Sequence, residues 1–259
     1  MNIVFFDSGV GGLTVLREAC RKFPAERYVY YADTLNVPYG VHTKQEVSAF
    51  VAACIDHILS THEVKALVLA CNTATSAAVE TLRDRYPFPI VGMEPAVKPA
   101  IQLVRGTARR VLVTATPLTL KEEKFQRLLR RLDDPDQVDL LGLPGLVSFA
   151  ENGTFDGPEV AEYLRAQLAP FQPERLGAIV LGCTHFVMFK QAIRRIVPEH
   201  VQLVDGNAGT VNQLARLLQL EPRDKGAAGS GGEAQIAFMS SRRTTEDGQR
   251  LESFYRGLA

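Results

Sequence analysis

Two of the four cysteines stand where a thiol could react. Cys71 closes the apolar run of "LVLACNTAT" (67–75), and Cys183 closes that of "IVLGCTHF" (179–186), 112 residues later. Each sits where a strand pattern turns into a loop, followed by a hydroxyl and a helix start: Asn72 and Thr73 after the first, Thr184 after the second. Backbone amides at a helix N-terminus stabilise an anion, so they can lower a thiol pKa and also hold a substrate carboxylate. The ordinary reading of a free cysteine is a small buried hydrophobe. Cys20 and Cys54, inside apolar helical faces, take that reading, whereas Cys71 and Cys183 read as reagents.

Ionisable partners occur at comparable strand ends: Asp7 in "FFDSGVGG" and Glu151 in "FAENGTF". His185 lies two residues after Cys183. Alone, either carboxylate reads as a helix cap or turn residue, and the glycine-rich "DSGVGG" lacks G-x-G-x-x-G spacing. His42, His57, His62 and His200 have ordinary helix or loop settings.

The elements that must position these groups alternate. Apolar, β-rich runs fall at 2–7, 28–33, 66–71, 89–94, 110–116, 138–143, 178–183 and 202–206, with amphipathic helical spacing at 14–23, 44–59, 76–86, 121–132 and 158–171. Alternation of β and α predicts an α/β fold with mainly parallel sheets covered on both faces. Residues 66–94 and 178–206 can be laid over each other, both reading strand, cysteine, helix, proline, strand, acid. "NIVFFDSGVGGLTVL" likewise answers "RVLVTATPLTLKEEKF", which predicts a duplicated α/β lobe. Two such lobes about a pseudo-twofold axis would turn equivalent strand ends, and both thiols, toward one cleft. The expected division is 1–97 plus 208–259 for the lobe carrying Cys71, and 98–207 for that carrying Cys183. A helix at 210–219, a loop at 223–234, a strand "QIAFMSS" and a final helix complete the chain.

Composition limits the function. With 259 residues, 46% of them apolar, the chain can bury a proper core as one large domain or two moderate ones. Lysine plus arginine (29) equals aspartate plus glutamate (29), so no global field favours nucleic acid or an anionic membrane. Small-molecule chemistry is expected. The N-terminus lacks the features of a secretory signal and no run is long enough to span a membrane, so a cytoplasmic protein is expected. The cysteines are too few and scattered for a disulfide framework, and none forms a C-x-x-C pair for a metal.

Five segments, taken together, resemble the glutamate racemases of the cofactor-independent amino-acid racemase group: "FFDSGVGGLTVL" (5–16), "YYADTLNVPYG" (30–40), "LACNTATSA" (69–77), "VGMEPAVKPA" (91–100) and "LGCTHF" (181–186). They run in the family's order through nearly the whole chain. Phe186 stands where tyrosine is usual, Thr75 where serine is usual, and "VDGNAG" (204–209) is an atypical version of its segment. The resemblance implies interconversion of L- and D-glutamate without metal, nucleotide or organic cofactor, supplying D-glutamate for peptidoglycan, and a homodimer. It implies Cys71 and Cys183 as acid and base on opposite faces of the amino acid, Asp7 as partner of Cys71, and Glu151 and His185 beside Cys183. It also implies that Asn72, Thr73 and Thr184 contact the substrate carboxylate, that Asp7, Ser8 and His185 lie near the head group, and that Tyr39 and Gly40 line the side-chain end. Thr116 and Thr119 would add hydroxyls.

Other readings stay open at this point. An aspartate racemase would use the same mechanism on a shorter side chain. A pyridoxal-phosphate racemase would need a Schiff-base lysine, and none of the eight lysines has a recognisable setting for one. A hydrolase using Cys183 and His185 as nucleophile and base leaves Cys71 unexplained. A two-lobed amino-acid-binding protein would hold both thiols inert.

Overall fold

The computed structural model describes residues 1–132, 134–222 and 234–258. The expected loop at 223–234 lies outside them apart from Ala234. In chain order the elements are β1 (Asn2–Asp7), α1 (Leu13–Lys22), β2 (Arg27–Ala32), α2 (Lys44–Thr61), β3 (Val64–Leu69), α3 (Asn72–Arg85), β4 (Ile90–Gly92) and α4 (Val97–Val104). There follow β5 (Arg110–Ala115), α5 (Pro117–Lys121), α6 (Glu123–Arg130), β6 (Val138–Gly142), α7 (Pro144–Glu151) and α8 (Pro158–Leu168). The chain continues through β7 (Leu176–Leu181), α9 (Thr184–Val187), α10 (Lys190–Arg194), β8 (Gln202–Asp205), α11 (Asn207–Leu218), β9 (Gln235–Ser240) and α12 (Thr245–Gly257).

Two sheets form, ordered β4-β3-β1-β2-β9 and β6-β5-β7-β8, and every strand pair is parallel. Read from its other edge, the second sheet runs β8-β7-β5-β6, so β1 to β4 correspond in turn to β5 to β8. The correspondence reaches single residues. β1 shifts register against β3 between Asn2 and Ile3, and β5 shifts against β7 between Arg110 and Val111. The internal repeat in the sequence is thus also a repeat of strand order and of register.

The long apolar runs follow from burial on both faces of each strand. On β1, Ile3 and Phe5 face one core while Val4 and Phe6 face another beneath α2 and α3. β5 divides likewise: Leu112 joins Ile3 and Phe5, and Val111 and Val113 pack against α4 and Phe125 of α6. One apolar core therefore runs between the two sheets. Residues of α1 and α7 to α12 fill it, including Leu16, Leu146, Leu164, Phe186, Leu214 and Leu251. No helix among the described residues is long and apolar enough to cross a membrane.

Two element expectations need correction. The run 121–132 is two helices: Pro117 opens α5, and Glu122 is extended (φ −66°, ψ 136°) before α6 begins. The Glu122 carboxylate meets Lys44 at 3.0 Å. A helix outside the expected runs, α4, lies at 97–104. Glu151, expected at a strand end, is the last residue of α7, whose apolar sequence "PGLVSFAE" shows too few polar positions to reveal a helical period.

Candidate active site

Cys71 and Cys183 occupy equivalent places. Each comes two residues after its strand, β3 or β7, in extended conformation (φ −136°, ψ 119° and φ −143°, ψ 138°), and each precedes a helix. Both are buried, at 5% and 6% exposure. Their surroundings differ. Cys71 Sγ accepts the Ala74 N–H at 3.4 Å and lies 3.8 Å from Ser8 Oγ. Cys183 precedes a helix of only four residues and makes no cap hydrogen bond; its Sγ is 3.7 Å from His185 Nδ1. Only one thiol therefore has the helix-amide support that the sequence suggested for both.

The loop after β1 brings in the carboxylates. Asp7 Oδ2 accepts the N–H groups of Gly9 (3.2 Å) and Gly12 (2.9 Å), and Thr184 Oγ1 lies 3.5 Å from Oδ1. Glu151 Oε1 accepts Val10 N–H at 2.9 Å and meets His185 Nε2 at 2.7 Å. Cys183, His185 and Glu151 thus form a connected row, anchored on a loop of the first sheet. The glycines of "DSGVGG" have a steric reason. A Cβ on Gly9 would stand 1.8 Å from Glu151 Oε1, and one on Gly11 would stand 2.6 Å from the His185 backbone nitrogen.

Electrostatics tie these groups together. His185 is held protonated well above the usual histidine range: burial opposes the charge, but the hydrogen bonds to Cys183 and Glu151 overcome it. Burial alone would raise Glu151, yet the His185 bond and charge, the Val10 amide and Arg250 bring it below the ordinary value. For Asp7 burial wins over His185 and the Gly12 and Gly9 amides, and the carboxyl is raised. The Cys71 thiol is pushed up first by burial and next by the Asp7 charge, with the Cys183 charge adding to it and the Ala74 amide opposing. The sequence-based expectation of a thiol lowered by helix amides is corrected here, because one amide does not offset full desolvation. Both sulfurs border the β1–α1 loop, Cys71 through Ser8 and Cys183 through His185 and its partner Glu151, which accepts Val10 N–H. Burial also pushes Cys20 to about 11 and Cys54 to about 12, as befits packed thiols.

Hydroxyls complete the surroundings. Thr73, Thr116 and Thr119 form a triangle with Oγ1 separations of 2.9, 3.2 and 3.0 Å, one member from α3 and two from the start of α5. Asn72 Nδ2 donates to Met93 O at 3.3 Å, while its buried Oδ1 has no partner among the described residues. Gly40 abuts Thr116, whose Cβ would be 2.9 Å from a Cβ placed there. Tyr39 stands behind it: the phenol donates to Asp33 Oδ2 at 2.7 Å, so this segment offers Gly40 and main chain rather than the Tyr39 hydroxyl. Thr75 joins elements, donating to Leu69 O and accepting Met93 N–H. Sequence reasoning missed Asp33, which the strand-end pattern of "YYAD" could have revealed, and Arg250, for which no local signal exists. Among the described residues, no group of three or more His, Cys, Asp or Glu side chains is placed to hold a metal ion.

A family model described as Asp/Glu/hydantoin racemase matches residues 7–214. The glutamate racemase of Halothermothrix orenii is 48% identical over 254 residues, covering 98% of this chain and 97% of that protein. Glutamate racemase 2 of Bacillus subtilis is 46% identical over 256 residues, covering 99% and 94%. Among solved structures, Escherichia coli glutamate racemase in complex with L-glutamate and the activator UDP-MurNAc-Ala is similar at a TM-score of 0.83 and 28% identity, over 98% of this chain and 95% of that one. The chain belongs to the Asp/Glu/hydantoin racemase family, a family of isomerases. Within that family, the relatives it matches along almost its whole length are glutamate racemases.

Proposed function

We propose that the chain interconverts L- and D-glutamate by a two-thiol mechanism without a cofactor. One observation carries the reading: two buried cysteines, equivalent by strand and register, stand on either side of the β1–α1 loop, Cys71 at Ser8 and Cys183 at His185, whose partner Glu151 accepts Val10 N–H. Racemisation takes the α-proton from one face of the amino acid and returns a proton to the other, which a single base cannot easily do. With one cysteine as thiolate and the other as thiol, the first accepts the α-proton and the second gives its own, and the roles exchange for the opposite enantiomer. Cys71 is kept as a thiol by burial and Asp7, so it is suited to giving a proton. A substrate ammonium placed beside Asp7 and Ser8 would offset that negative charge and favour the thiolate. Protonated His185, held by Glu151, would play the equivalent part for Cys183.

Asn72, Thr73 and Thr184 are assigned to the substrate carboxylate; the unpartnered Asn72 Oδ1 would take the ammonium. Gly40 with Thr116 and Thr119 would meet the side-chain end, and the developing enolate charge would be met by these dry, fixed hydroxyls and amides. We assign residues 1–97 and 208–259 to one lobe, since β9 pairs with β2, and 98–207 to the other, with the substrate between them. A homodimer in the cytoplasm supplying D-glutamate for peptidoglycan completes the reading. The test is incubation of enantiopure glutamate in heavy water with wild type, Cys71→Ala and Cys183→Ala. Wild type should invert and deuterate Cα, and each variant should lose racemisation by about 10²-fold or more. A wild type that neither inverts nor deuterates glutamate would remove the proposed function, and full activity in either variant would remove the two-thiol mechanism.

A further inference from the structure

We propose that Arg250, on α12, is a positioning residue of the Cys183 half-site: it holds the end of α7 so that Glu151 keeps His185 aimed at the thiol. This rests on the two-thiol reading and goes beyond it, because Arg250 comes from the far end of the chain and touches neither cysteine. α12 follows β9, a strand of the first sheet, whereas α7 follows β6 of the second. Arg250 Nη2 nevertheless donates to the Glu151 carbonyl and lies 3.8 Å from Glu151 Oε2. Both contacts have a physical reason. The last carbonyls of a helix lack intrahelical donors, and a cation at that end also meets the negative pole of the helix dipole.

The guanidinium is itself held. It lies 5.3 Å from the centroid of the Phe254 ring, Phe254 meets Phe155 edge-on at 6.0 Å, and Phe155 meets Phe189 at 6.0 Å. Phe189 belongs to the buried core, so the side chain is braced from α12 down to the segment that follows α9. The opposite face of the Glu151 carboxylate is fixed by Val10 N–H and His185 Nε2 through Oε1. Arg250 therefore holds the Glu151 main chain and stands beside the second oxygen of a carboxylate whose first oxygen orients the imidazole.

The charged and titratable groups facing Glu151 are His185, Asp7, Tyr30 and Arg250, and His185 in turn faces Cys183 and Asp7. Of these, Asp7, Tyr30, His185 and Cys183 are buried, whereas the Arg250 side chain is 42% exposed. Replacing it alters the hold on Glu151 without opening a cavity in the site. Solvent screening weakens its effect on the Glu151 charge.

The test compares Arg250→Gln, Arg250→Lys and, as a control on the same helix, Arg256→Gln, which removes only the surface pair with Glu252. Racemisation of L- and D-glutamate, with ordinary and α-deuterated substrate, is followed across pH beside thermal melts. Because the two enantiomers are equal in free energy, kcat/KM must fall equally in both directions. A weakened Cys183 half-site instead shows as a larger primary isotope effect for the enantiomer whose α-proton Cys183 removes. Arg250→Gln should lower kcat by about tenfold, the scale of a small misplacement of a reacting group, with KM within about twofold. Its acid limb should move to higher pH, since Glu151 loses a cation that favours the carboxylate. Arg250→Lys should restore the acid limb and show a smaller but still one-sided isotope effect; it carries the test if the glutamine variant does not fold. Arg256→Gln should match wild type. Unchanged kinetics, or isotope effects raised equally for both enantiomers, would overturn the role of Arg250. A wild type that neither racemises nor exchanges glutamate would instead overturn the reading on which it rests.

Discussion

Glu151 and His185 make opposite entries into the pH dependence of stability. The Glu151 carboxyl is depressed in the fold, so its contribution is present above the ordinary value of 4.5 and is lost as pH falls through the folded value. His185 is raised, so its contribution is fully present below 6.5 and is lost as pH rises through its higher folded value. Together they stabilise the protein most between these two limits. Asp7, raised by burial, works against stability as pH rises above 3.8, but wild type and a Glu151 variant share it, so it largely cancels in their difference. Glu151→Gln should therefore destabilise most at about pH 5 to 6.5, by about 3 kcal/mol for a buried pair broken on one side. The difference should shrink on either side of that window. Urea unfolding of both proteins across pH measures it, and a difference independent of pH would contradict the ion pair.

At the scale of elements, the β1–α1 loop is where the two sheets touch chemically. Its glycines are set by what stands opposite them, and two neighbouring substitutions should behave differently. An alanine at Gly9 would strike the carboxylate end of Glu151, a movable group pinned only by its hydrogen bonds. At Gly11 it would strike the His185 backbone nitrogen, which cannot yield without moving α9. Gly9→Ala should thus lower kcat by about tenfold or more and, by displacing the carboxylate, remove the pH-dependent stability of the Glu151–His185 pair. Gly11→Ala should cost about 1–3 kcal/mol of stability as overpacking. Melts across pH separate the two, since the loss at Gly11 should not follow the titration of Glu151 and His185; a loss independent of pH at Gly9 would mean that the carboxylate is as fixed as the backbone. The same scale explains why the thiols differ. The fourteen-residue α3 presents an amide to Cys71, while the single turn of α9 leaves Cys183 to a side chain, His185.

Over the whole molecule, the core between the sheets makes one unit of two similar halves. Ile3 and Phe5 share it with Leu112 and Ile179, and Phe186, fully buried, sits among them immediately after His185. Phe186→Ala should cost about 3–5 kcal/mol through lost burial and the cavity left behind. Unfolding should remain a single transition, because neither sheet keeps a complete core without the other. Calorimetry tests this: two resolved transitions would show the halves to be independent.

Much of this was legible locally. The apolar runs marked every strand among the described residues, since a parallel strand buried on both faces leaves an unbroken run of bulky residues, and the repeat alone made Cys71 and Cys183 counterparts. Residue type and spacing were enough, because strand formation and thiol placement depend on neighbours in the chain. The remainder depended on residues far apart in sequence. Glu151 at a helix end, the phenol of Tyr39 spent on Asp33, the glycines shaped by His185 and Glu151, and the reach of Arg250 leave no periodic trace. Even the direction of the Cys71 shift was decided by how completely the fold removes water from the sulfur, because desolvation by distant segments outweighs the nearby amide that the local sequence displays.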